Sequence, residues 1–232
     1  MVALGVDREG QKKVLSFWQG ATENKEVCKG LFSDLAGRGL KMNHEVIYVT
    51  DGGGGVIRAL KDHVGNGLLH QRCTIHKDRN IQRHLPEKYR DEAHRRYRQA
   101  LELKKYSDAK ESLDAFEVWL REINESAANS LLEAKEELLT LHRLEISHLL
   151  RITLHSTNPI ESLFATVRHC EKNVKRYGGS KMMQRWFAAV ALHAEESFRT
   201  IKGFKDIPSV MAKIQTIQNP DETKRIQILK VA

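Results

Sequence analysis

The sequence predicts an α/β fold, a mixed sheet interrupted by an all-helical insertion, and three observations carry that expectation. Short apolar runs and amphipathic segments alternate through the first 85 residues in the order β-β-α-β-α-β. Residues 87–150 contain neither proline nor glycine and keep a helical apolar period. Helical patterning then returns behind Pro159.

Each element has a local reason. Val2 to Val6 and Val14 to Trp18 flank a turn at Asp7–Gly10 and read as a hairpin. Thr22 is a candidate N-cap for a helix through Ala36, where Val27, Leu31 and Leu35 recur four apart and Gly37 and Gly39 mark the end. Val46 to Val49 form a compact run typical of a buried strand, closed by Thr50-Asp51 and four glycines. Val56, Leu60 and Val64 suit a short helix, and Leu68 to Cys73 a further, parallel strand. Leu113, Phe116, Leu120 and Ile123 form an apolar seam in the insertion. The last helical stretch starts near Pro159, breaks at Gly178-Gly179 and resumes from Lys181 to Ile201. The expected organisation is therefore 1–85 as part of a core, 86–150 as the insertion, 151–202 as helices completing the core, and 203–232 as a loose tail.

Composition excludes several classes. With 41% hydrophobic and 29% charged residues and four prolines, the chain is neither disordered nor collagen-like. No apolar run approaches the ~18 residues of a membrane span, so no membrane partner is expected. The cysteines Cys28, Cys73 and Cys170 are few and scattered, and no basic leader with a cleavage site opens the sequence, which favours a reducing cytoplasm. The net charge of +8 is uneven. Residues 72–106 carry eleven basic and five acidic side chains, 107–148 four and ten, and 151–202 nine and four. Two basic blocks around an acidic island suit a polyanion, although a solvated charged surface would look alike.

Two carboxylates stand out. Asp51 sits at the carboxyl end of a strand, where open α/β sheets gather ligands, before glycines that admit a phosphate or backbone. An Asp that simply caps the next helix would occupy the same place. Glu161 follows Asn158 as a candidate N-cap and Pro159 at the first helical position, which also makes it a capping-box residue. Arg168, Lys172 and Lys175 lie 7, 11 and 14 residues beyond Glu161 and, on a continuous helix, share its face, a row suited to a phosphate backbone or to solvent.

The segments VTDGGGGV at 49–56, QRCTIHKDRN at 71–80 and STNPIESLFATVR at 156–168, in that order, resemble the mutator-type transposases of bacterial insertion sequences, as does ALGVDREGQKKVLSFWQG at 3–20. The resemblance runs from residue 3 to about residue 200. It implies a ribonuclease-H-like fold with an all-helical insertion and an Asp-Asp-Glu triad, of which Asp51 is the second acid and Glu161 the third. Two Mg²⁺ (or Mn²⁺) ions about 4 Å apart would then support phosphoryl transfer. Double-stranded DNA, as transposon ends and target, becomes the expected partner, with Arg168, Lys172, Lys175, Arg176 and Arg79 toward its phosphates. A homo-oligomer in the full-length family and a nucleoid-associated location follow from the same resemblance.

The first acid of that triad belongs to a strand ahead of the hairpin, which this sequence does not include. Asp7 lies in the hairpin turn and is no substitute. The reading is an N-terminally truncated catalytic core, inactive alone and with two strand edges lacking a partner. A non-catalytic DNA- or partner-binding remnant and an unrelated metal-dependent nuclease are the alternatives. Cys73 and His76 have half-zinc-site spacing, but His63, His70 and His84 complete no clean set of four, so positioning beside the active site is the favoured role. Arg83, Arg95, Arg96 and Arg98 are further phosphate candidates or ordinary surface charges. Trp119 is a base-stacking candidate or, as a member of an apolar seam, core.

Overall fold

A computed structural model describes residues 1–20 and 25–218. It is a mixed α/β structure, mostly helical. Strands β1 (Val2–Val6) and β2 (Lys12–Phe17) form the hairpin, followed by α1 (Lys25–Gly37), β3 (Ile47–Thr50), α2 (Gly54–Val64) and β4 (Leu69–Arg72). Then come α3 (Thr74–Arg83), α4 (Glu87–Glu102), α5 (Tyr106–Ile123), α6 (Glu125–Leu132), α7 (Lys135–Leu138), α8 (Thr140–Arg143) and α9 (His148–Leu154). Helices α10 (Asn158–Cys170), α11 (Ser180–Glu196) and α12 (Ile207–Gln218) close the described chain. The candidate cap Thr22 lies outside the described residues.

The hairpin is the middle of three layers, because strand side chains alternate between its faces. Ala3 and Leu15 pack toward Leu31, Phe32 and Leu60 of α1 and α2. Val2 and Val14 face the other way, onto Leu163, Val167, Val190 and Ala194 of α10 and α11. Phe187 seals that side, 4.7 Å from the ring of Phe17 and 6.2 Å from that of Phe164. Asp7 is consumed by the turn: its carboxylate accepts the backbone N–H groups of Glu9 and Gln11 at 3.1 and 2.7 Å.

The expected single sheet is divided. β1 pairs antiparallel with β2, β3 pairs parallel with β4, and among the described residues no strand joins the two pairs. The division explains why β3, expected as a buried strand, is half-buried throughout: one edge has no strand neighbour. β4 is fully buried because helices cover it. The Gln71 side chain donates to the Leu138 carbonyl at 3.1 Å and accepts the Leu141 N–H at 3.2 Å, and Thr140 donates to the His70 carbonyl at 2.6 Å. The Gln71 side chain thus ties β4 to the backbone around α7 and α8, and the Thr140 hydroxyl satisfies the His70 carbonyl.

Helices α4 to α7 enclose their own apolar core, which includes Tyr97, Leu113, Phe116, Leu120, Leu131 and Leu138 and reaches Ile81 of α3. Trp119 flanks this core, 6.0 Å from Phe116 and 6.2 Å from Tyr89, with the Arg96 guanidinium 4.9 Å from its ring. Its place is in the packing seam. Leu141, Leu144 and Leu150 join a different core with Leu69, Ile201, Val210 and Ile214. Residues 203–218, expected to begin a loose tail, are therefore held: a 3₁₀ turn at Phe204–Asp206 leads into α12, which buries Val210 and Ile214. The three-to-four spacing of those apolar residues is the signal that the polar composition masked. Residues 219–232 lie outside the described part. Among the described residues no helix is long and apolar enough to cross a membrane.

Candidate active site at the ends of β3 and β4

The site grows from two adjacent strand ends. The Cys73 N–H donates to the Thr50 carbonyl at 2.7 Å, extending the ladder one step past β4 and setting Cys73 beside the strand end that carries Asp51. The turn after β3 is fixed on every side. Thr50 Oγ1 accepts the Gly52 N–H at 3.2 Å and lies 2.8 Å from His70 Nε2. Asp51 Oδ1 accepts the Gly53 N–H at 3.1 Å. That bond holds the turn; no side chain caps α2, whose N-cap residue is Gly53. Gly52 has φ +95°, and the Arg72 guanidinium occupies the space a side chain there would need.

Cys73, fully buried, links the strand end to α10. Its Sγ accepts the Thr157 N–H at 3.4 Å and lies 3.2 Å from His76 Nδ1. Thr157 Oγ1 is 3.4 Å from Cys73 Sγ, 3.3 Å from His76 Nδ1 and 3.4 Å from Glu161 Oε1. Glu161 Oε1 is in turn 3.7 Å from His76 Nδ1, and its side chain is 41% exposed. The structure therefore gathers Cys73, His76, Thr157 and Glu161 around one hydroxyl, next to the strand end bearing Asp51. Among the described residues no set of three or more His, Cys, Asp and Glu side chains is arranged to hold a metal ion.

Three expectations are corrected. Asn158 is the first residue of α10, not its cap; Thr157 holds the cap position, and its side chain makes no capping bond because Cys73 and Glu161 engage it. Glu161 is accordingly no capping-box residue, and its carboxylate is not spent on a backbone N–H. The basic row is not one helix face either. α10 ends at Cys170, so Arg168 lies on the helix while Lys172, Lys175 and Arg176 lie in the connection to α11, all exposed.

The arginines divide by partner. Arg95 and Arg96 pair with Glu92, and Arg98 with Glu102 at 2.9 Å, so these three cations are answered within α4. Arg79 is exposed on α3, one helical turn after His76.

Behind the strand ends lies an ionic cluster that sequence reasoning missed. Arg72, 4% exposed, reaches Glu133 and Glu137 at 3.3 Å each, and its Nε has no partner. Lys77, 1% exposed, pairs with Glu133 and donates to the Ser130 carbonyl at 2.8 Å. Burial pushes the Lys77 ammonium below its ordinary pKa. Burial raises the Glu133 and Glu137 carboxyls, but Lys77 and Arg72 for the first and His70 and Arg72 for the second outweigh it and hold both below the ordinary range. The cluster joins β4 and α3 to α6 and α7. A signal existed in the bare Arg72 and Lys77 flanking the Cys73 motif, but basic residues at such positions are legible only when burial is known.

Three chains similar to this one are transposases. The transposase for insertion sequence element IST2 of Acidithiobacillus ferrooxidans is 29% identical over 235 residues, 96% of this chain and 77% of that protein. The transposase for element IS6120 of Mycolicibacterium smegmatis is 30% identical over 178 residues, 77% of this chain and 54% of that protein. The transposase for element ISRM5 of Rhizobium meliloti (strain 1021) is 28% identical over 201 residues, 85% and 48% respectively. The class is that of insertion-sequence transposases. Residues 1–200 match the family described as Transposase, Mutator family, and the chain belongs to that family. It spans about half the length of the IS6120 and ISRM5 relatives.

Proposed function

We propose that this chain binds DNA and supplies Asp51 and Glu161 as carboxylate ligands in a transposase catalytic core of ribonuclease-H-like type, with 86–150 as its helical insertion. The observation that carries the reading is the Cys73–Thr157 link, which brings the head of α10 and Glu161 to the strand end that bears Asp51. Both acids retain oxygens free of capping duty, and hard oxygen donors suit Mg²⁺ or Mn²⁺. Such ions, when bound, polarise phosphoryl oxygens and lower the pKa of a coordinated water. The chain's own part is to place the two carboxylates, with Thr157 and His76 orienting Glu161 and the Thr50–Gly53 turn orienting Asp51. Exposed Arg168, Lys172, Lys175 and Arg176 would hold phosphates.

The described residues gather no third acid at this place, so the chain alone is proposed not to cut DNA. Mn²⁺ binding followed by calorimetry tests the site: weak binding lost in both Asp51→Asn and Glu161→Gln is expected, and unchanged binding in both variants overturns it. Strand cleavage by the purified chain that disappears in Asp51→Asn would overturn the inactivity while keeping the site. The second reading, a DNA- or partner-binding remnant without chemistry, is favoured by the exposed cations beyond α10, which form no ion pair among the described residues.

A further inference from the structure

The segment from the end of α10 into α11 carries five cations, Lys172, Lys175, Arg176, Lys181 and Arg185, all of them exposed. None forms an ion pair among the described residues, unlike Arg95, Arg96, Arg98, Lys110 and Lys135 elsewhere. The one acid in the segment, Glu171, is engaged by the Tyr177 hydroxyl. Two of these cations, Lys181 and Arg185, line a groove of about 650 Å³ together with Gly178, Gly179, Met182 and Trp186.

The groove is not left over from packing. Phe187 turns the inner face of α11 toward Phe17 and Phe164, while Met182, Arg185, Trp186 and Ala189 recur at helical spacing on the groove side. Trp186 is 37% exposed and Met182 49%, a large cost in apolar surface for a helix already anchored on its other face. A Cβ on Gly179 would meet nothing, and one on Gly178 only Met182 Sδ at 3.6 Å, so the floor of the groove is open at that end.

We propose that this groove binds an unpaired nucleotide of a DNA strand, with the base stacked on Trp186 and the flanking phosphates on Lys181 and Arg185. An indole flanked by two cations that form no ion pair among the described residues suits single-stranded nucleic acid. An apolar peptide would leave those cations unanswered, and an intact duplex would keep its bases from the indole. Phe187, next to Trp186, meets Phe164 of α10 with ring centroids 6.2 Å apart, so α11 runs alongside α10 and its groove side faces away from that contact. The inference rests on the DNA-binding reading above and is independent of the acids.

The test is anisotropy with the full chain and three labelled oligonucleotides of equal length: single-stranded, duplex, and duplex with three central unpaired bases. The expected result is tighter binding of the unpaired substrates, with Trp186→Ala weakening those by about tenfold, Trp186→Phe restoring most of the loss, and duplex affinity unchanged within about twofold. Unchanged duplex binding also shows that the variant folds. Equal loss on all three oligonucleotides, no loss on any, or displacement of DNA by polyglutamate at equal charge overturns the groove assignment alone. Failure of every oligonucleotide to bind overturns it together with the DNA-binding reading, whereas Mn²⁺ binding at Asp51 and Glu161 is scored separately.

Discussion

The Arg72 side chain lies across Gly52: a Cβ on Gly52 would stand 2.1 Å from Arg72 Nε. The φ of +95° at Gly52 and the buried guanidinium are thus one arrangement, which fixes the turn that presents Asp51. Gly52→Ala is expected to destabilise the chain by about 2 kcal/mol or more, through backbone strain and displacement of Arg72. Gly54→Ala, at the first residue of α2 with only Arg58 Nη2 at 3.9 Å, should be neutral or slightly stabilising. Urea denaturation of the two variants side by side checks this.

The Lys77–Glu133 pair is lopsided, since Lys77 is buried and the Glu133 side chain is 59% exposed. Glu133→Ala leaves a buried ammonium without its anion and should cost about 3 kcal/mol. Lys77→Met removes the buried charge and lets Glu133 turn to water, so its cost should be about half of that or less. Equal costs would mean that the pair is not what fixes α6 against α3.

His142 is 3% exposed, its Nε2 lies 3.1 Å from the Leu101 carbonyl oxygen, and its Nδ1 has no partner. Burial, with Arg151 nearby, lowers its pKa from 6.5 to about 4. The unfolded chain therefore takes up a proton that the folded chain refuses, and stability falls as pH drops from about 6.5 to about 4. The loss attributable to this residue is about 3 kcal/mol. His155, shifted down by burial and by Arg151 and Arg98, acts in the same direction. Urea midpoints between pH 4 and 7 should show the slope, and His142→Leu should flatten it.

The two groups of cations should differ in salt dependence. Replacing Lys172 and Lys175 with Gln should lower the slope of log affinity for duplex DNA against log salt by up to about 0.9 for each phosphate no longer neutralised. Arg95→Gln and Arg98→Gln, whose partners are Glu92 and Glu102, should leave the slope unchanged. A reversed result would move the DNA path onto the insertion.

What is legible in the sequence is what local chemistry decides. The hairpin, β3, β4, the seam of α5 and the start of α10 behind Pro159 follow from period, turn residues and a proline at a helix head. The cap of α10 falls one residue from where the sequence suggests it because Asn158 and Thr157 are equivalent by type, and only the distant Cys73 decides which hydroxyl or amide is occupied. Arg72 and Lys77 read as surface charge because burial comes from α6 and α7, sixty residues on. The row beyond Arg168 reads as helix although α10 stops at Cys170, since nothing in Glu171 to Val174 forbids helix. The two acids are legible as candidates; the link that ties the head of α10 to the end of β4 is a thiol-centred contact across 84 residues.

The separate core of α4 to α7 has a kinetic consequence. Its members span Ile81 to Leu139, so its closure entropy is that of short loops. The hairpin is fastened instead across 181 residues, where the Val14 N–H meets the Glu195 carboxylate, and the Ile201 N–H donates to the Gly10 carbonyl. Such contacts form late and open early, so amide exchange should find its slowest protons in the helical block and its first cooperative opening at the hairpin. The scaffold that holds the strand ends would then outlast the layer built upon it.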